Sequence, residues 1–464
     1  MKNIITLSVL AFLSTAIYAN SDMQAQIDAL TKEVAQMKKV NQAQNKNIAA
    51  NKVQSAKDNI KFGVDFRNAV DKLEYKNNDT DETFENSALF TSRLYLTMAA
   101  APMKNLTFKG KLAIYSTWGA HLYVQDSALK DWSASSKPAD TALRVKEAFF
   151  LYTDSLGEQP YAFSIGRRPS SNGFLANYRE NEPKSGSPLA HITNMEVNAA
   201  MLMLKWDRFI EGAYSKFVYG RAHTGEMQEV YGDDSSARMP FAEYTTDKED
   251  DNVDFFVFLG DGYNDGQYQL MYQWAHIFNT KGKDLTPNPD GDNPKGIKNG
   301  SGVADLFALS FKTDGVGEEI TDFLDETTLF ASFAATKYTP KDGYSILGSE
   351  DSELGTSFWL GAVIPDMMTD SGKLGFEFNH GSQYWTPMTW AEDTAMGSKI
   401  AVRGNAYEAY WNFNLFGAKY LPSQIRYTYA QHDYTPNINC AGWIAPTEVD
   451  ITSTDLRIAV SYRY

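Results

Sequence analysis

One cysteine, Cys440, stands in 464 residues, so the chain can close no disulfide on itself and offers no cysteine-rich zinc centre. The six histidines, His121, His191, His223, His276, His380 and His432, are scattered, and none has the His-Glu-x-x-His spacing that seats a catalytic metal. No run of eighteen apolar residues follows the first twenty positions, and mean hydropathy is -0.41, which argues against a bundle of membrane helices. Basic residues are outnumbered 43 to 58, leaving a formal charge of -15, which argues against bulk electrostatic binding of nucleic acid. A hydrophobic share of 43% with 13% aromatics is too high for a disordered or collagen-like chain.

What is present begins with an address. Lys2 precedes an apolar run from Ile4 to Ile17, and Ala19 supplies a small residue before Asn20, the layout of a signal peptide over 1–19. Ile17 departs from the small residue usual two positions before cleavage. Residues 20–58 hold no glycine, proline or aromatic residue. Met23, Ile27, Leu30, Val34, Met37, Asn41, Gln44 and Ile48 are spaced alternately four and three apart, the seam of a short α-helical coiled coil. Asn41 and Gln44 weaken that seam, so the helix needs partner chains, or else is a solvated spacer.

From residue 59 onward the period becomes two. Ile60, Phe62, Val64 and Phe66 alternate with Lys61, Gly63, Asp65 and Arg67, and the same rhythm marks 106–114, 267–274 and 358–364. Such alternation predicts strands with one apolar face. Sixteen segments follow it, at about 60–75, 88–101, 106–118, 142–154, 161–168, 195–206, 213–221, 253–260, 267–278, 303–313, 324–338, 357–368, 374–384, 400–413, 420–431 and 454–464. Their connections alternate short and long, as in a chain threaded through an outer membrane. The expected fold is therefore all-β, a 16-stranded antiparallel transmembrane β-barrel over 59–464, with 14 to 18 strands as the range. The last strand alternates and stops on Tyr462 and Tyr464; such a terminal aromatic resembles the signal read by the barrel insertion machinery.

Two stretches carry a family likeness. Arg144-Val-Lys-Glu-Ala-Phe-Phe-Leu-Tyr152 followed by Phe163-Ser-Ile-Gly-Arg-Arg-Pro-Ser170 resembles general and phosphate-selective porins, in which a Gly-Arg pair precedes the pore-constricting loop. With Phe378-Asn-His-Gly-Ser-Gln-Tyr-Trp385 and Arg403-Gly-Asn-Ala-Tyr-Glu-Ala-Tyr410, nearly all of 20–464 is similar to a domain-of-unknown-function family of Gram-negative porin-like proteins. The resemblance implies an outer-membrane barrel and leaves the solute open.

If the apolar parity touches lipid, the other parity lines the lumen. On the strands flanking closure that set is basic: Arg67, Arg93, Lys109, Lys111, Arg144, Lys146, Arg168, Arg403, Arg426, Arg457 and Arg463. Asp65 dissents, and Glu147 falls on the lipid parity, so its strand is expected to bulge or lie near the rim. Through the middle strands the inward set is Asp254, Gln267, Gln269, Gln273, Thr328, Ser332 and Glu377, with Lys216 and Lys312 as exceptions. A one-sided basic wall favours anions; the same cations paired with loop carboxylates would instead hold the interior together. The loop 169–194, with Arg179, Glu180, Glu182 and Lys184, is expected to fold inward as a constriction. Tyr95, Tyr115, Tyr152, Trp206, Trp274, Trp385 and Trp411 are expected at the membrane interfaces. No catalytic set, cofactor or metal is expected; His380 with Ser382 is the one hydrolase-like pair. The expected function is passive diffusion of small hydrophilic solutes through a homo-oligomeric, trimeric porin in contact with outer-membrane lipid. A non-conducting structural or adhesive barrel, its coiled coil tethering peptidoglycan or another partner, is the alternative.

Overall fold

A computed structural model describes residues 60–118, 142–182, 184–224, 251–288, 291–317, 320–369, 371–389, 391–436 and 444–464, with two-residue strands at Gln228–Glu229 and Glu243–Tyr244. The expected signal peptide and coiled coil, and Cys440, lie outside the described residues. Sixteen long strands run in order: β1 (Lys61–Asn77), β2 (Thr83–Met103), β3 (Leu106–Thr117), β4 (Arg144–Leu156), β5 (Gln159–Arg168), β6 (Val197–Lys205), β7 (Tyr214–His223), β8 (Val253–Asn264), β9 (Tyr268–Asn288), β10 (Gly291–Asp314), β11 (Thr328–Pro340), β12 (Glu353–Pro365), β13 (Lys373–Gly381), β14 (Gly404–Asn414), β15 (Pro422–Tyr434) and β16 (Glu448–Arg463). Each pairs antiparallel with its neighbours, and β1 pairs with β16 from Asp65 opposite Arg463 to Asn77 opposite Ile451, which closes the barrel. Tyr464 extends that seam, exchanging backbone hydrogen bonds with Val64 at 2.9 Å in both directions. Closure removes the sheet edges an open sheet would leave.

The two-residue rhythm places Phe66 outward and Arg67 inward, and Leu270 and Trp274 outward beside inward Met271 and Gln273. Phe307, Leu309 and Phe311, with Phe358 and Leu360, continue the exposed apolar belt, a surface that water covers poorly and hydrocarbon covers well. The short connection at Asp265–Gln267 is a tight hairpin turn, as its sequence implies: Gly266 takes φ +99° and the Asp265 carboxylate accepts the backbone N–H groups of Gln267 and Tyr268.

Two differences from expectation are physical. The segment 279–302, read as a loop, is instead a continuation of β9 and β10 as a paired ribbon with repeated register shifts; backbone pairing there does not need apolar alternation. In β4, Lys111 faces Glu147 while Leu112 faces Val145, so Lys146 is the extra residue of a bulge. The bulge turns both Lys146 and Glu147 into paired, largely buried positions.

Candidate functional site

Two connections fold into the lumen. The first, 169–196, buries Leu175, Leu189 and Ile192 completely against the inner face of β8 to β12, where Leu259, Met271, Ala275, Leu306 and Trp359 supply apolar contact. Polar groups pin the same loop. The Leu189 N–H donates to Gln273 Oε1 at 2.8 Å, and Gln273 Nε2 donates to Thr193 Oγ1 at 2.9 Å. The His191 ring lies between Ser332 Oγ at 2.7 Å and Ser357 Oγ at 2.9 Å, with the edges of Trp359 and Trp385 around it. Burial alone holds its pKa down to about 3, so the ring is neutral. Replacing Ser332 by alanine strips one ring nitrogen of its partner in a dry site; docking of this loop should weaken by about 1–3 kcal/mol, read as faster amide exchange at 189–193.

The second inward connection, 382–403, meets the first through a two-residue parallel pairing of Thr193–Asn194 with Met388–Thr389. Its Asp393 is the focus of the basic wall. Arg67 reaches the carboxylate at 2.7 Å, Arg93 at 2.8 Å and Arg457 at 3.2 Å, while Arg426 and Arg457 also donate to the Asp393 backbone carbonyl. Burial pushes this carboxyl up, but the fields of Arg93, Arg457, Arg67 and Arg426 outweigh it and hold Asp393 well below the usual carboxylate range. Beside it, Arg179 from the four-residue helix α1 (Ala176–Arg179) bonds Glu180 at 2.8 Å and Glu392 at 3.1 Å. Burial opposes its charge, and Glu392, Glu408 and Glu180 more than restore it. Lys399 sits between Glu377 at 2.6 Å and Glu408 at 2.5 Å. Each inward loop therefore places ions against wall ions of opposite sign.

The remaining expected site residues divide clearly. Arg463 pairs with Asp65 at 3.1 Å, Lys111 with Glu147 at 2.7 Å, and Lys146 with Glu196. Lys109 and Arg144 are exposed and have no carboxylate partner among the described residues; nor has Arg168, whose guanidinium donates to Ser164 Oγ and lies 5.0 Å above the Phe149 ring. Arg403 is not pore-lining: it precedes β14 and is buried, donating to the Trp385 and Thr435 carbonyls and to Thr386 Oγ1. It clamps the end of the second loop. Glu182 accepts from Asn172 at 3.2 Å, and Lys184 is exposed. Tyr462 and Tyr464 are exposed on the closing strand.

Several readings are corrected. Asp254 is not lumenal; Val253, Phe255 and Val257 face inward, and Asp254 pairs with exposed Arg221 at 2.7 Å. Tyr95 and Tyr115 join through their hydroxyls inside the barrel, and Trp385 is fully buried in the second loop, so none of these rings belongs to an interface belt. His380 bonds Asn405 at 3.1 Å while Ser382 Oγ accepts the Thr356 N–H at 2.9 Å; the two do not form a nucleophile and base. Arg167, passed over because parity assigns it to lipid, faces the lumen. Gly166 takes φ +127°, and a side chain there would meet the Ala148 carbonyl at 2.3 Å. That kink sends Arg167 and Arg168 into different cavities. The notable signal is the Gly-Arg-Arg sequence itself.

Two cavities share no lining residue. One, of about 680 Å³, is polar and bounded by Arg67, Tyr95, Arg144, Lys146, Glu196 and Asp393 among others. Its walls hold five cations, Arg67, Arg144, Lys146, Arg167 and Arg457, against three carboxylates, Glu196, Glu392 and Asp393. The other, of about 520 Å³, is mainly apolar. The family model described as Protein of unknown function (DUF3373) matches residues 83–460. This chain belongs to that family. No curated protein matches it in sequence. Among solved structures it is similar to an anion-selective porin from Comamonas acidovorans, with 12% identity over 88% of this chain and 99% of that one and a TM-score of 0.49. It is similar also to OprB of Pseudomonas putida, at 11% over 90% and 97% with a TM-score of 0.48. The outer-membrane channel DcaP of Acinetobacter baumannii matches at 12% over 88% and 97%, with a TM-score of 0.42.

Proposed function

We propose that this protein is an outer-membrane porin through which small hydrophilic solutes diffuse passively, with a preference for anions. The observation that carries the reading is a closed sixteen-strand barrel whose exposed belt is apolar while its inner wall bears Arg67, Arg144, Lys146, Arg167 and Arg457 around a polar cavity. Barrels of this strand number leave room for an aqueous path. Most of the basic wall is spent on ion pairs, so the preference rests on the surplus of cations over carboxylates around that cavity and on Lys109 and Arg168. In a narrow lumen such charges are poorly screened.

The same reading assigns residues 1–19 to a signal peptide, 20–58 to a periplasmic coiled coil, and Tyr462 and Tyr464 to the signal recognised at insertion. A seam that needs partner helices favours a homotrimer. One observation favours the second reading, a non-conducting structural barrel: both inward loops are packed, one of them on a continuous apolar core.

Planar-bilayer recording of the purified full chain separates the two. Stable single-channel steps, with a zero-current potential in a potassium chloride gradient displaced to the chloride side, are the expected result. A folded barrel that gives no steps establishes the structural reading, and displacement to the potassium side refutes the anion preference.

A further inference from the structure

The inner face of β6 to β10 departs from what an aqueous pore requires. Its lumenal positions include Met201, Val218, Phe255, Val257, Ala275 and Leu306, all lining the 520 Å³ cavity. A porin lumen is ordinarily polar, and apolar side chains facing water have no stabilising role there. The first inward loop covers part of this face with Leu189 and Ile192, yet it leaves the cavity uncovered between itself and the strands, bounded on the loop side by Pro169, Pro188 and Met195. The volume lies in the range of pockets that enclose small organic ligands.

Two cations line this cavity, Arg168 and Lys281, of which Lys281 is already engaged within the protein. Gly166 turns Arg168 away from its sequence neighbour and into the lining of the apolar cavity. Its guanidinium donates to the Ser164 hydroxyl and lies over the Phe149 ring, with Glu147 and Lys216 within electrostatic reach and no carboxylate hydrogen-bonded to it among the described residues. Glu147, on the strand paired with its own, is held by Lys111 at 2.7 Å. Two other polar groups of the lining are already used within the protein, Ser170 donating to the Met195 carbonyl and Thr193 accepting from Gln273, while Thr280 Oγ1 is buried without a partner. A planar guanidinium with no carboxylate bonded to it, at the wall of an apolar cavity, matches an anionic head on an apolar body.

We propose that this cavity binds monocarboxylates with an aliphatic or aromatic body, the carboxylate on Arg168 and the body along Val257, Ala275 and Leu306. The site rests on the porin reading for its access from water. Burial of each additional methylene tightens binding about fourfold, so octanoate should bind about 250-fold better than butyrate, and octanoate about tenfold better than 1-octanol for want of the charged hydrogen bonds.

The test uses the full chain in planar bilayers, with octanoate, butyrate and 1-octanol as probes. Octanoate should interrupt the chloride current in a concentration-dependent way, in the stated rank order. Arg168→Gln should remove the tenfold preference for octanoate over 1-octanol, and Ala275→Phe, which leaves every lumenal charge in place, should abolish interruption by both while the channel still conducts salt. A channel that conducts salt but is indifferent to octanoate, or whose interruptions survive both substitutions, overturns the proposal and leaves the porin reading standing. If no channel forms, calorimetric titration of octanoate into the detergent-solubilised barrel decides the site by itself: heat lost on Ala275→Phe supports it, and equal heats from wild type and both variants overturn it.

Discussion

Asp393→Asn is expected to release the connection 382–403 from the barrel wall and to open the polar half of the lumen. The carboxylate is the shared anion of Arg67, Arg93 and Arg457, and removing one member of a largely buried ion cluster costs about 3–5 kcal/mol. The loss should fall on the loop and not on the barrel, because the arginines keep other partners. Arg67 donates to Thr91 Oγ1 at 2.6 Å, Arg93 pairs with Asp65 at 3.3 Å, and Arg457 bonds Asp71 at 2.5 Å. The expected phenotype is therefore a folded barrel with unchanged heat-modifiable mobility, faster amide exchange over 391–396, larger single-channel conductance and stronger chloride selectivity. Unchanged exchange and unchanged selectivity together would show that Asp393 neither anchors the loop nor offsets the wall.

Asp393 was illegible in the sequence for a reason that applies to the whole second loop. Residues 385–399 read as a polar connection of ordinary length, and nothing in Trp-Ala-Glu-Asp-Thr-Ala-Met distinguishes an acid that finds three guanidinium groups from one in solvent. The wall was easier. Arg67, Arg93, Arg426 and Arg457 alternate with Phe66, Leu94, Ile425 and Ile458, so parity alone turned them inward. Parity failed where it carried no information. Val253-Asp-Phe-Phe-Val-Phe-Leu259 is apolar on both faces, because the inward face packs on the cavity and the outward face on the belt, and the one acid was therefore assigned to the wrong side. It failed again at Gly166, where a positive φ breaks the alternation that placed Arg167. Backbone kinks and doubly apolar strands are the two conditions under which a two-residue period cannot say which side is wet. The inward turn of 169–194 was legible from its length, whereas its apolar anchors Leu175, Leu189 and Ile192 gain meaning only opposite the wall that receives them.

Acidification is expected to undock the first inward loop before it unfolds the barrel, and His191 is the residue responsible. Docked, the imidazole has a pKa of about 3 because it is dry; undocked in water it titrates near 6.5. The docked pKa is the lower one, so the stabilisation is complete above about pH 6.5 and declines as pH falls, since only the undocked state takes up the proton. Across the full interval to pH 3 the loss approaches about 5 kcal/mol at 1.36 kcal/mol per unit, and by pH 5 it is already about 2 kcal/mol. Glu182 works in the opposite sense, because burial and its neighbour Glu180 raise its carboxyl, so proton uptake there favours docking. Asp393 contributes only at lower pH, its docked carboxyl lying well below the ordinary range. Between pH 6.5 and 4.5 the imidazole and Glu182 therefore act in opposite senses, and a variant that lacks only the imidazole separates them. Amide protection at 189–193, corrected for the intrinsic pH dependence of exchange and followed across that interval, should fall in wild type and not fall in His191→Gln, which keeps a hydrogen-bonding side chain between Ser332 and Ser357 and has no proton to gain. A parallel loss of protection in both proteins would assign the acid response to another group and remove His191 from the account.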